Sequence, residues 1–200
     1  RKDIAAKDLL AIIKASSITF RPLLLLGINA GIGNLDLAEM KLSELPDLDA
    51  PEVWIDLPRG KTGTDRRFVL WPETVSAIRK YLAARPGPAG LSNVDRLFLT
   101  RQGLAWVRTR AKDRQDAITG AFTRYRIAAK VDRGTFYDLR RTFQTVAADT
   151  LDFPAVQHIM GHAKRANDMS AQYTQHIPDE RIRKVCNHVR QWLYGADDVK

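Results

Sequence analysis

The sequence is short of the features that would place it outside the cell, in a membrane or around a cofactor. It holds a single cysteine, Cys186, so no internal disulfide can form and the fold does not depend on an oxidising compartment. A cytosolic (cytoplasmic) address is expected. The longest apolar run, Leu23 to Ile28, is broken by Gly27 and falls far short of the ~20 residues that a membrane-spanning helix needs. The chain opens on Arg1-Lys2-Asp3 with no apolar stretch of the secretory kind behind it. It also starts without methionine, as a piece of a longer protein would. Gly27, Gly31 and Gly33 do not make a dinucleotide-binding pattern, and no Gly-Lys-Ser/Thr ends a phosphate loop. His158 and His162 stand four apart, but Ile159 occupies the place of a metalloprotease glutamate, Gly161 would interrupt the helix, and a third ligand is not evident. The sequence thus calls for neither a metal nor another cofactor.

What is present is an ordinary core and an excess of positive charge. Of the 200 residues 44% are hydrophobic and 28% charged, a balance that fits one domain over residues 1–200 and excludes disorder by composition. Lys and Arg number 32 against 23 Asp and Glu, for a net charge of +9. Such an excess favours polyanions, nucleic acid first among them. The charge is also localised. Residues 101–141 hold eleven Lys or Arg against four Asp, so seven of the nine net charges fall in one fifth of the chain.

Hydrophobic periodicity predicts helices over about Asp3–Lys14 and Thr19–Ala30, with Asp3 and Asn34 as caps for the first and third of three opening helices. From Ala50 the period changes. Val53, Ile55 and Leu57 alternate with Trp54 and Asp56, Arg59 to Asp65 supplies a Gly-rich turn, and Arg66 to Trp71 reads as the returning strand. Pro72 suits the first turn of the next helix. Leu97-Phe98-Leu99 suggests a third strand, and helices are expected from Lys112 to Ala129, Tyr137 to Thr150, Pro154 to Met160, around Tyr173, and Asp179 to Leu193. The fold class is therefore mainly α, an α+β chain with one small antiparallel sheet near residues 52–71.

Four segments then stand in a telling order. Gly60-Lys61-Thr62-Gly63 lies in the hairpin, Tyr137-Asp138-Leu139-Arg140-Arg141 opens a helix, Gly161-His162 follows another, and Tyr173 comes after them. In order and spacing they resemble the catalytic domain of the tyrosine recombinases, the phage-integrase family, from about Thr19 to Tyr194. The resemblance implies a helical domain that breaks and rejoins double-stranded DNA through a 3′-phosphotyrosine intermediate. It implies Tyr173 as the nucleophile, Arg140 and His162 as phosphate donors, and Lys61 as the acid for the leaving 5′-oxygen. It further implies a separate N-terminal DNA-clamping domain outside this chain, and self-assembly on DNA through the C-terminal helix. There Ile182, Val185, Val189, Trp192 and Leu193 form an apolar stripe that would otherwise pack on the chain's own core.

Two positions depart from the family pattern. Tyr137 stands where the His-x-x-Arg box has histidine, and Gly33 stands where a first arginine is expected, ahead of Asp36 and Leu37. Tyrosine can donate a hydrogen bond to phosphate but, with a reference pKa near ~10, is a poor base at neutral pH. The nearby cations that would make good the loss at Gly33 are Arg21, Arg66 and Arg67. Two readings follow: a recombinase rebuilt around the missing arginine, or a recombinase-like DNA-binding module that no longer cleaves.

Overall fold

A run of four leucines on a helix leaves no polar side, so such a helix is stable only at the centre of a protein. The computed structural model, which describes residues 3–60, 63–110, 113–162 and 176–195, places it there. Helix α2 (Arg21–Asn29) is buried from Pro22 to Asn29, and α1 (Ala6–Ala15), α4 (Pro72–Ala83), α6 (Phe136–Ala148) and α8 (Asp179–Tyr194) all pack around it. Helices α3 (Asn34–Glu39), α5 (Ala117–Ala128) and α7 (Phe153–Met160) complete the described helical set. Asp3 does not cap α1, whose N-cap is Ala5, and Asn34 lies inside α3 with Gly33 as its N-cap. The Asn34 amide instead donates to Asp116 Oδ2 at 2.8 Å, which ties the start of α3 to the start of α5.

Strands β1 (Trp54–Asp56) and β2 (Arg67–Val69) form the expected hairpin, paired antiparallel with Ile55 opposite Phe68. A second antiparallel hairpin, β3 (Val107–Arg110) with β4 (Asp113–Asp116), occupies the stretch where the sequence suggested the start of a helix. Leu97–Leu99 contributes only an isolated bridge, Leu99 to Ala105. The residues Arg108 to Arg114 are charged at every second place as far as Lys112 and then at consecutive places, and no apolar stripe exists there to hold a helix on the core.

One buried asparagine joins the hairpin to the central helix. The Asn29 side chain, fully buried, donates to Val69 O at 3.0 Å and accepts from Trp71 N at 2.9 Å and Thr74 Oγ1 at 3.0 Å. It thereby fixes the end of α2 against the end of β2 and the first turn of α4. The C-terminal helix closes the core from outside. Ile182, Val185, Val189 and Leu193 are all 2% exposed or less against the chain's own interior, and Trp192 packs partly buried against the same core, so most of this stripe is consumed within the molecule. Trp71 Nε1 donates to Cys186 O at 2.9 Å and fixes the helix further. No helix among the described residues is long and apolar enough to cross a membrane.

Candidate active site

Tyr173 and Lys61 lie outside the described residues, whereas Arg140, His162 and Tyr137 lie within them. Arg140 owes its position to the register of α6. It shares a face with Phe136, Leu139 and Phe143, which are buried, so its stem enters the core and only its tip can emerge. Its Nη1 donates to Gly31 O at 2.6 Å and its Nη2 to Met160 O at 2.9 Å. Both acceptors are neutral carbonyls. Arg140 as a whole is 7% exposed, and burial first, then Arg59 and Arg66, pushes its pKa down to about 10. Tyr137, one turn earlier, is exposed, sits under the Arg141 guanidinium at 5.2 Å and also acts electrostatically on Arg140.

His162 is placed by the way α7 ends. Gly161 adopts the left-handed conformation at φ 62°, Gly161 N donates to His158 O, and His162 N donates to Gln157 O at 2.9 Å, the paired bonds of a Schellman cap. Glycine is required here twice over. A Cβ would sit 2.6 Å from Arg66 Cγ and 3.1 Å from Arg59 Cβ, and the positive φ disfavours any L side chain. The chain reverses at Gly161, so His158 and His162 do not share a helix face and do not form the i, i+4 pair their spacing suggested. The His162 imidazole is held below its ordinary pKa, by burial first and then by Arg140 and Arg59.

Three cations were candidates for the position left open at Gly33. Arg21 donates to Ile13 O, Lys14 O and Ser16 O, closing the end of α1, and has no part in the site. Arg67 faces outward, bonded to Asp56 and Asp179 and stacked 4.6 Å over Trp54. Arg66, its neighbour just before β2, turns to the opposite side and enters the core. There Arg66 Nη1 donates to Asp36 Oδ2 at 2.8 Å and Nε to Leu57 O at 3.0 Å, while Nη2 is buried without an acceptor among the described residues. Burial lowers the Arg66 pKa, and Asp36 opposes that shift.

A fourth cation, Arg59, was missed by sequence reasoning. Its Nη1 donates to Gly161 O at 3.2 Å, the carbonyl that follows the one held by Arg140. In the sequence Arg59 is one basic residue of a polar turn, and nothing distinguishes it from a solvated one. Only the return of α7 against the hairpin makes it part of the cluster. A Cβ at Gly33 would meet nothing within 4 Å, so that position is open space.

Two guanidiniums and an imidazole thus converge at the C-terminal end of α7, with a third guanidinium beneath them neutralised by Asp36. Among the described residues no carboxylate ion-pairs with Arg59 or Arg140. Such a group can bind a tetrahedral anion with donors on several sides. The phage integrase family model matches residues 3–180. The chain belongs to the phage integrase family. Among solved structures, this family member is similar to XerA recombinase, at 22% identity and TM-score 0.64 over 95% of this chain and 64% of that one. It is also similar to a lambda integrase dimer bound to a core site, at 19% identity and TM-score 0.61 over 82% and 58%. Against the lambda integrase catalytic core alone the identity is 18% and the TM-score 0.58, over 84% of this chain and 95% of that core. The chain therefore spans about 58–64% of the longer relatives and nearly all of the isolated core. No curated protein matches it in sequence.

Proposed function

We propose that this chain is the catalytic part of a site-specific recombinase that cuts and rejoins double-stranded DNA. The carrying observation is the cluster of Arg140, Arg59 and His162 at one helix end in a member of the phage integrase family. In this reading the Tyr173 hydroxyl attacks the scissile phosphorus and the P–O5′ bond breaks. A 3′-phosphotyrosine and a free 5′-hydroxyl result. The phosphoester bond is exchanged rather than hydrolysed, so rejoining is the same step reversed. Lys61 gives a proton to the departing 5′-oxygen, and the proton lost by the Tyr173 hydroxyl passes to solvent, so protons balance over the exchange. Arg140 and His162 donate hydrogen bonds to the nonbridging oxygens as their charge grows, and Tyr137 adds a neutral donor at the rim.

Support for Tyr173 and Lys61 comes from their order in the sequence. Relatives of this fold have been solved on DNA: XerH on a palindromic substrate after cleavage, and lambda integrase as a tetramer on a Holliday junction. Assembly on DNA and a cytosolic working place belong to the same reading. Since the apolar stripe of α8 is buried internally, any contact this helix makes with a neighbouring protomer falls to exposed residues such as Lys184, Asn187 and Gln191.

The test is a nicked duplex that carries the target site and traps the covalent adduct. Wild type forms the adduct, Tyr173→Phe forms none while binding DNA as before, and Tyr137→Phe retains it. Salt-sensitive DNA binding by wild type without any adduct would replace this reading with that of a DNA-binding module.

A further inference from the structure

We propose that Arg59 is a second phosphate-binding guanidinium of this site, supplying from the hairpin the positive charge that Gly33 does not. The inference rests on the phosphodiester-cleaving reading above. It is carried by the placement of Arg59, beginning with its backbone. Arg59 N donates to Thr64 O at 2.8 Å and Gly63 N donates to Arg59 O at 2.7 Å, so the residue sits at the hydrogen-bonded base of the hairpin turn. Its side chain then runs to the end of α7, where Arg59 Nη1 reaches Gly161 O at 3.2 Å while Arg140 Nη2 holds Met160 O at 2.9 Å. Two guanidiniums from separate elements are thus fixed on successive carbonyls, immediately before His162.

Charge balance argues that the pair awaits an anion. Arg59 lies close enough to act on both Arg66 and Arg140, and Arg66 on Arg140, while among the described residues Asp36 is the acid that pairs within this group, with Arg66. Arg66 is 1% exposed and committed to Asp36 and Leu57, so it cannot turn toward a ligand without leaving that carboxylate buried and unpaired. Arg59, only half-buried, and Arg140 are left in excess. Partly desolvated like charges repel strongly, and an anion between them relieves the repulsion. A phosphodiester has the matching form: its two nonbridging oxygens can each accept from a different guanidinium. As the phosphorus becomes five-coordinate those oxygens gain charge, so both arginines bind the transition state more tightly than the ground state.

The experiment compares single-turnover adduct formation on the nicked duplex by wild type, Arg59→Ala, Arg59→Lys and the double variant Arg59→Ala with Gly33→Arg. The expected result is a rate lowered ~10²–10³-fold in Arg59→Ala, partial retention in Arg59→Lys, and recovery of at least about tenfold in the double variant. DNA affinity should change by only a few-fold, since the other phosphates of the interface remain neutralised. A second readout needs no DNA. The His162 ring, titrated by NMR, should move up toward its ordinary pKa in Arg59→Ala if the guanidinium sits beside it. A cleavage rate for Arg59→Ala within about threefold of wild type, or an unmoved His162 titration in a folded variant, overturns the proposal while the recombinase reading stands. Absence of any adduct from wild type on a verified site overturns both.

Discussion

Arg66 and Asp36 form a buried ion pair at 2.8 Å, with the arginine side chain fully excluded from solvent and the aspartate 13% exposed. The contact joins the residue that leads into β2 to the first turn of α3, and the stem of Arg66 is the surface over which Gly161 turns. Removing one partner of such a pair strands a charge in the interior, at a cost of about 3–5 kcal/mol. Asp36→Ala is therefore expected to lower unfolding stability by that amount in urea. Asp36→Ala combined with Arg66→Met should recover part of the loss, because no orphaned charge remains. A single variant that unfolds within about 1 kcal/mol of wild type would show that the pair is solvated.

Gly161→Ala tests the turn that places His162. Alanine carries a left-handed strain of roughly 1 kcal/mol, and its methyl group must displace the Arg66 stem, adding about 1–3 kcal/mol of overpacking. The variant should be less stable by at least about 1 kcal/mol in denaturant titration. It should also form adduct more slowly, since Arg59, Arg140 and His162 all meet at this turn. Unchanged stability would mean that the backbone relaxes freely there.

Acid sensitivity follows from two groups of opposite kind. His158 and His162 are both held below the ordinary value of 6.5, by burial first. The folded state then binds protons less readily than the unfolded chain, so stability is complete above about 6.5 and declines as the pH falls below it. Asp152 is held below its ordinary value of 3.8, chiefly by Arg181, while it also caps α7 through Ala155 N. Its contribution is present above that value and is lost as the pH falls further. Urea midpoints should therefore drop in two stages, and Asp152→Asn should remove part of the lower one, which Glu52, Glu73, Asp95 and Asp179, also held below their ordinary values, share. A midpoint that rises between about pH 7 and about pH 5 would contradict the histidine assignment.

Salt dependence separates the arginines of the basic stretch. Arg126 is tied to Val131 O at 2.6 Å and to Asp132 O, closing the end of α5, whereas Arg124 and Arg133 are exposed. If the stretch faces a DNA backbone, Arg124→Ala with Arg133→Ala should weaken binding and reduce the log-log salt slope by about 0.9 for each phosphate no longer neutralised. Arg126→Ala should act mainly on stability. Equal slopes for the Arg124/Arg133 double variant and wild type would move the DNA surface elsewhere.

Much of the architecture was legible in the sequence because its signals are local. The all-leucine face of α2, the period-two alternation around Ile55, Pro72 at a helix start and the stripe from Ile182 to Leu193 each follow from side chains within one element. The Tyr-x-x-Arg and Gly-His segments likewise marked Arg140 and His162 as candidates, and helix register and a glycine turn, both set by neighbours in the chain, bring the two near each other. The β3–β4 hairpin was misread because charged residues at mixed spacing carry no clear period.

What the sequence by itself determined is which residues are chemically capable: the cations, the imidazole, the tyrosines and the gap at Gly33. Only the tertiary structure decided which cation serves which purpose. Arg21, Arg59, Arg66 and Arg67 are the same side chain, and what divides them is the acceptor each finds across the fold: a helix end, the Gly161 carbonyl, a buried carboxylate, or Asp179 at the surface. Those acceptors lie up to 112 residues away along the chain. Charge is written in each residue, but desolvation and pairing are properties of the place where distant segments meet.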